Sequence, residues 1–146
     1  MRLRLLLLLG CFFALATFLT GCDSFFSAKG NIFEWVDAPN YEKGKIYINE
    51  LAPELPPEGY NLQPVASAKV SFYPRMELSD GSFSPAVQLS DNEGKFEESA
   101  VVAPGKYKMR ITVEKDGYYP VERTFPFDGG DSGKFYFTVL LVRKYN

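Results

Sequence analysis

The stretch APGKYKMRITVEKDGYYPV, residues 103–121, decides the fold. Tyr107, Met109, Ile111 and Val113 alternate with Lys108, Arg110, Thr112 and Glu114. A period of two puts the apolar set on one face and the polar set on the other, as in a half-buried antiparallel strand. Ala103-Pro104-Gly105 signals a turn before it, and Lys115-Asp116-Gly117 a turn after it. Downstream, YYPVERTFPF and KFYFTVLLVR read as two further strands, separated by the turn DGGDSG at 128–133. Upstream, SDNEGKFEES turns at 91–94 into a strand. FSPAVQLS sets Val87 and Leu89 on one face, and AKVSFYP sets Ala68, Val70 and Phe72 on one face until Pro74 ends it. GNIFEWV, residues 30–36, is rich in strand formers, and Ile46 and Ile48 alternate with Tyr47 and Asn49. About seven strands, with turns about every 8–12 residues and no helix beyond the N-terminal segment, predict an all-β, seven-stranded antiparallel β-sandwich.

Composition narrows the function. The chain has no histidine, which removes Ser-His-Asp and Cys-His catalysis, imidazole bases and His-based zinc sites. Its 16 Lys+Arg against 18 Asp+Glu, with basic residues scattered, exclude a nucleic-acid footprint. Thirteen Phe, nine Tyr and one Trp supply the core, since each buried ring removes a large apolar area from water.

The N-terminus has a separate logic. Arg2 and Arg4 precede an apolar run broken only by Thr17 and ending at Leu19, and small residues then precede Cys22. That order describes an export signal over residues 1–21. Leu19-Thr20-Gly21-Cys22 resembles the lipobox of bacterial lipoproteins. The resemblance implies cleavage before Cys22, lipid on its thiol and acylation of the new amino terminus. The alternative is an uncleaved membrane helix, for which about 18 apolar residues just suffice. Asp23 resembles the inner-membrane retention signal of enteric lipoproteins. Residues 22–29 read as a tether. Cys11 leaves with the signal and Cys22 is lipidated, so no disulfide forms in the mature chain.

Further residues carry a family resemblance. They are Gly30 with Ile32, Ala68-Lys69-Val70-Ser71-Phe72, Asp91-Asn92-Glu93-Gly94-Lys95-Phe96, Pro104-Gly105-Lys106-Tyr107 with Ile111 and Val113, and Gly117-Tyr118. Together they resemble the carboxypeptidase regulatory-like domain, a transthyretin-like (prealbumin-like) β-sandwich, over about residues 30–143. The family joins its first two motifs by a short link. Here about 30 residues intervene, and a long loop in a compact domain is usually functional or disordered. This insertion at 37–64 carries Pro53, Pro56, Pro57 and Pro64, which forbid a central strand or helix.

The related purine-lactam hydrolases depend on histidines and a Tyr-Arg-Gly-Ser ending, and this chain has neither. Glu97 and Glu98 are adjacent, so a strand points them to opposite faces rather than pairing them for glycoside hydrolysis. Asp128 and Asp131 lack the spacing of a calcium loop. Trp35, Tyr41, Tyr47, Tyr60, Tyr118 and Tyr119 are candidates for a sugar-stacking platform, or else for core and edge cover. Tyr41, Tyr47 and Tyr60, lying in the insertion, are the candidate ligand contacts. The expectation is a non-enzymatic lipoprotein without metal or cofactor other than the lipid on Cys22. It is anchored to the inner or outer membrane, binds an envelope protein, and has a surface glycan as the alternative ligand.

Overall fold

The computed structural model describes residues 24–49, 59–75, 80–83, 87–102, 105–129 and 133–144. Cys22, Asp23, the signal segment and residues 50–58 of the insertion lie outside them. The described chain opens on β1, Ser24–Trp35. The expected tether is therefore strand from Ser24 onward. Its cause is a period of two that starts earlier than the sequence reading placed it: Phe26, Ala28 and Ile32 are all fully buried on one face.

The remaining strands are β2, Gly44–Asn49; β3, Leu62–Pro64; β4, Lys69–Tyr73; β5, Gln88–Leu89; β6, Lys95–Val102; β7, Lys106–Glu114; β8, Val121–Asp128; and β9, Gly133–Leu141. The described residues thus form nine strands rather than seven. The three-residue β3, inside the proline-rich insertion, is the one that leaves no periodic trace. Pro64 is tolerated because β3 pairs with β1 alone and Pro64 closes it.

Two sheets form a sandwich-like arrangement. The larger runs β2-β9-β1, with β3 and β6 sharing the other side of β1; the smaller runs β5-β4-β7-β8. Most pairs are antiparallel, but β1 and β9 are parallel, from Phe26 opposite Gly133 to Glu34 opposite Leu141. This corrects the all-antiparallel expectation. Alternation marks the faces of a strand and is silent about the direction of its neighbour. One end of the sandwich gathers Ser24, Val102, Lys106, Asp128 and Gly133, here called the entry end. The far end gathers Trp35, Gly44, Glu114, Val121 and Leu141.

The core between the sheets is aromatic. Phe26, Phe72, Phe96, Phe125, Phe127, Phe135 and Phe137 are all buried. Rings meet edge-on at 5.3 Å (Phe26–Phe127) and 5.4 Å (Phe125–Phe137), a geometry that adds about 0.5–1.5 kcal/mol per pair beyond burial. Met109, Ile111 and Val113 close the core from β7 as their alternation predicts. Two glycines of the resemblance are held by contact. A Cβ on Gly30 would lie 2.5 Å from the Phe96 ring and 2.7 Å from the Phe137 carbonyl oxygen. Gly94 sits at φ 75° in the turn before β6, where the Asp91 carboxylate accepts the Glu93 and Lys95 amides. Arg123 of β8 donates to the Ile46 carbonyl of β2 at 2.7 Å, joining the sheet edges.

β5 departs from expectation. Val87 and Leu89 are 46% and 60% exposed, so their shared face is not a core face. β9 departs in the other direction. From Phe137 to Leu141 it is buried on both faces, as suits a strand that runs between β2 and β1 in the middle of its sheet.

Candidate functional site

Two arrangements meet at the far end. The first begins with Glu34, which follows Ile32 on the inward face of β1 and is 9% exposed. A buried carboxylate needs partners. The Tyr118 hydroxyl donates to Glu34 Oε2 at 2.6 Å, and Arg143 donates from Nε to Oε1 at 2.6 Å and from Nη2 to Oε2 at 2.9 Å. This is a two-pronged guanidinium–carboxylate contact, the strong form of such pairs. Backbone pairing holds the donors in place. Tyr118 and Arg143 form a bridge, Tyr119 donates to the Val142 carbonyl, and Lys144 donates to the Gly117 carbonyl. The Arg143 guanidinium also lies 5.2 Å from the centre of the Tyr118 ring.

The electrostatics follow from this geometry. Arg143, more than Tyr118, holds the Glu34 carboxyl below the usual carboxylate range, although burial opposes it. Burial, then the Glu34 hydrogen bond, pushes the Tyr118 phenol up to about 12. At neutral pH the carboxylate is ionised with both oxygens engaged, and the phenol keeps its proton. The group locks the chain's last described residues to the end of β1 rather than offering a free acid or base. Its signal was available in sequence: an acid two residues after Ile32, on the same face of the strand.

The second arrangement lies on the outer face of the larger sheet. β1 points Trp35 outward, β2 points Lys45 and Tyr47 outward, and Tyr60 returns from the insertion onto them. Trp35 and Tyr60 ring centres are 4.5 Å apart at 59°. Lys45 Nζ sits 5.3 Å from the Trp35 ring centre and 3.2 Å from a Glu42 oxygen. Burial first, and a hydrogen bond with Tyr60 second, raises the Tyr47 phenol above its ordinary range. Beneath the cluster, Leu140 is fully buried on the outward side of β9. The insertion is fastened at its return: Val36 donates to the Asn61 carbonyl at 3.0 Å, and the Asn61 amide donates to Asp37 Oδ1 at 3.2 Å.

Of the expected ligand contacts, Tyr47 and Tyr60 come together and are half-buried, while Tyr41 stands in the turn before β2 at 80% exposure. Val36, 41% exposed, lies at the same far end. Tyr118 is buried in the first arrangement and so leaves the sugar-stacking set. Tyr119 lies under Lys43 at 5.8 Å. Cys22 and Asp23, the expected lipid and sorting residues, lie outside the described residues. Glu97 and Glu98 face opposite sides as expected. Glu97 is exposed and pairs with Lys29 at 2.9 Å, while Glu98 is 5% exposed and its carboxyl is raised by burial. Among the described residues, no three Cys, Asp or Glu side chains gather as metal ligands.

No family model matches the chain, and no curated protein does. Among solved structures, 3-chlorocatechol 1,2-dioxygenase from Rhodococcus opacus is similar at 10% sequence identity and a TM-score of 0.46. The likeness covers 86% of this chain and 62% of that one, so the chain spans less than two thirds of that protein.

Proposed function

We propose that the chain is a lipoprotein of the bacterial cell envelope, cut before Cys22 and held at a membrane by lipid on that cysteine. Its sandwich, of transthyretin-like type, is a non-catalytic module that binds another envelope protein. The lipobox-like Leu19-Thr20-Gly21-Cys22 supports the anchor. The close-packed Gly30 and the Asp91–Gly94 turn support the finer fold type. The observation that carries the binding reading is the position of exposed side chains in and just before the insertion. Val36 and Tyr41 lie at the far end, a 12-residue strand away from Ser24 and so from the membrane. A strand of that length reaches about 40 Å.

The glycan alternative is weaker on geometry. Sugar stacking needs an open ring face, whereas Trp35 and Tyr60 lean on each other and Lys45 lies over Trp35. A photo-crosslinker placed at Tyr41 in the membrane-held chain is expected to capture one defined envelope protein, and one placed at Thr124 is not. Equal capture from both positions refutes the binding reading. So does glycan binding that disappears in Tyr47→Ala or Tyr60→Ala.

A further inference from the structure

The far end also holds a cleft that neither arrangement uses. It measures about 340 Å³ and lies between the turn before β4, the turn between β7 and β8, and the chain beyond β9. Tyr118 of the lock forms part of its wall, and Lys69, Lys115 and Lys144 bring three cations to it from three separate elements. Lys69 stands opposite Glu114 across β4 and β7, yet among the described residues none of the three ammoniums makes an ion pair. Lys115 Nζ donates to the Ser67 carbonyl, at a long 3.5 Å. Glu114 and Asp116, exposed at the rim, are unpaired as well. The cleft therefore has an excess of one positive charge in a chain whose formal net charge is −2. Such local charge attracts a counter-charge from outside.

Ser67 supplies a second observation. Its φ is 54°, in the left-handed region that a residue with a Cβ enters only where its surroundings impose it. Ser90 imposes it here. The buried Ser90 hydroxyl accepts the Ala68 amide at 3.0 Å and donates to the Val65 carbonyl at 2.7 Å, while the Ser67 amide donates to the Ser90 carbonyl at 2.9 Å. Held this way, Ser67 is exposed and lines the cleft, where its hydroxyl adds a neutral donor to three charged ones. Strain of this kind gathers where a chain binds something.

Donors so arranged suit a carboxylate, which only accepts. Glu114 and Asp116 choose among anions. Their charge opposes a doubly charged phosphate ester but welcomes a cation beside a single carboxylate. We infer that this cleft receives an Asp or Glu side chain of the partner protein, flanked by a Lys or Arg. Both signs on the guest then meet their opposites. The flexible lysine stems let the ammoniums close on the carboxylate as it enters. The inference rests on the binding reading above and gives that contact its chemistry.

The test titrates the full-length, isotope-labelled chain in detergent micelles with the peptide acetyl-Gly-Glu-Lys-Glu-Gly-amide. Nuclear magnetic resonance follows the amides of Ser67, Gly117 and Lys144. Saturable shifts at these amides are expected, and none with the peptide that carries Gln in place of Glu. In Lys69→Gln/Lys144→Gln the dissociation constant rises about five-fold, as for two exposed ion pairs lost together. Lys106→Gln/Lys108→Gln removes the same charge toward the entry end and leaves the constant nearly unchanged. No saturable shift, an equal rise in both double variants, or tighter binding of inorganic phosphate overturns the inference. Photo-capture at Tyr41 separates it from the reading it rests on. One envelope protein captured equally by the wild type and by Lys69→Gln/Lys144→Gln defeats the cleft but upholds the binding reading. Peptide bound at the cleft with nothing captured at Tyr41 does the reverse.

Discussion

Tyr118→Phe removes one oxygen from the far-end lock and little else. The lost bond runs 2.6 Å to a buried carboxylate, and bonds to charged groups contribute about 1.5–3 kcal/mol. Arg143 still engages both Glu34 oxygens, so the low end of that range applies, about 1.5 kcal/mol. For a domain of this size the loss lowers Tm by about 6 °C. Its pH dependence has a definite sign. The Glu34 carboxyl lies below its ordinary value of 4.5 in the folded chain, so its contribution is present above pH 4.5. That contribution is lost as pH falls through the folded value. The difference between wild type and Tyr118→Phe, read by calorimetry, is therefore largest near pH 7 and shrinks in acid. An unchanged Tm at pH 7, or a gap that widens in acid, refutes the lock.

Other outcomes follow from the same geometry. Alkaline titration of tyrosine absorbance finds one phenol ionising near 12, and Tyr118→Phe abolishes that late step. Glu98→Gln stabilises the chain at pH 7 by on the order of 1 kcal/mol, because burial raises the Glu98 carboxyl above 4.5. The wild-type contribution of Glu98 is fully present below pH 4.5 and lost as pH rises above it, so the variant's advantage fades in acid denaturant melts. Gly94→Ala forces a Cβ onto the Ile32 carbonyl oxygen at a positive φ and lowers stability by about 2 kcal/mol in the same assay. Phe137→Ala opens the aromatic core at a fully buried position and costs about 3–5 kcal/mol.

The all-β class was legible because β7 is exposed on one face and buried on the other, which prints a period of two on the residues. The β1–β9 parallel pair was not, since both strands carry apolar residues whichever way they run. The run Thr138–Val142 did hold a clue. Consecutive buried residues mean that both faces are covered, as in a strand at the centre of its sheet. The aromatic cluster was half legible. Tyr47 and Tyr60 stood out as insertion aromatics, but their meeting with Trp35 and Lys45 depends on where the chain returns. Glu34 and Arg143 are 109 residues apart, and no local pattern links them.

The anchor at Cys22 is the premise on which localisation, orientation and the exposure of the far end all depend. Mass spectrometry of the N-terminal peptide of membrane-extracted protein tests it directly. The account predicts a peptide that begins at Cys22 and carries the mass of acyl chains. A peptide that retains Met1 or Arg2, with an unmodified Cys22, contradicts it.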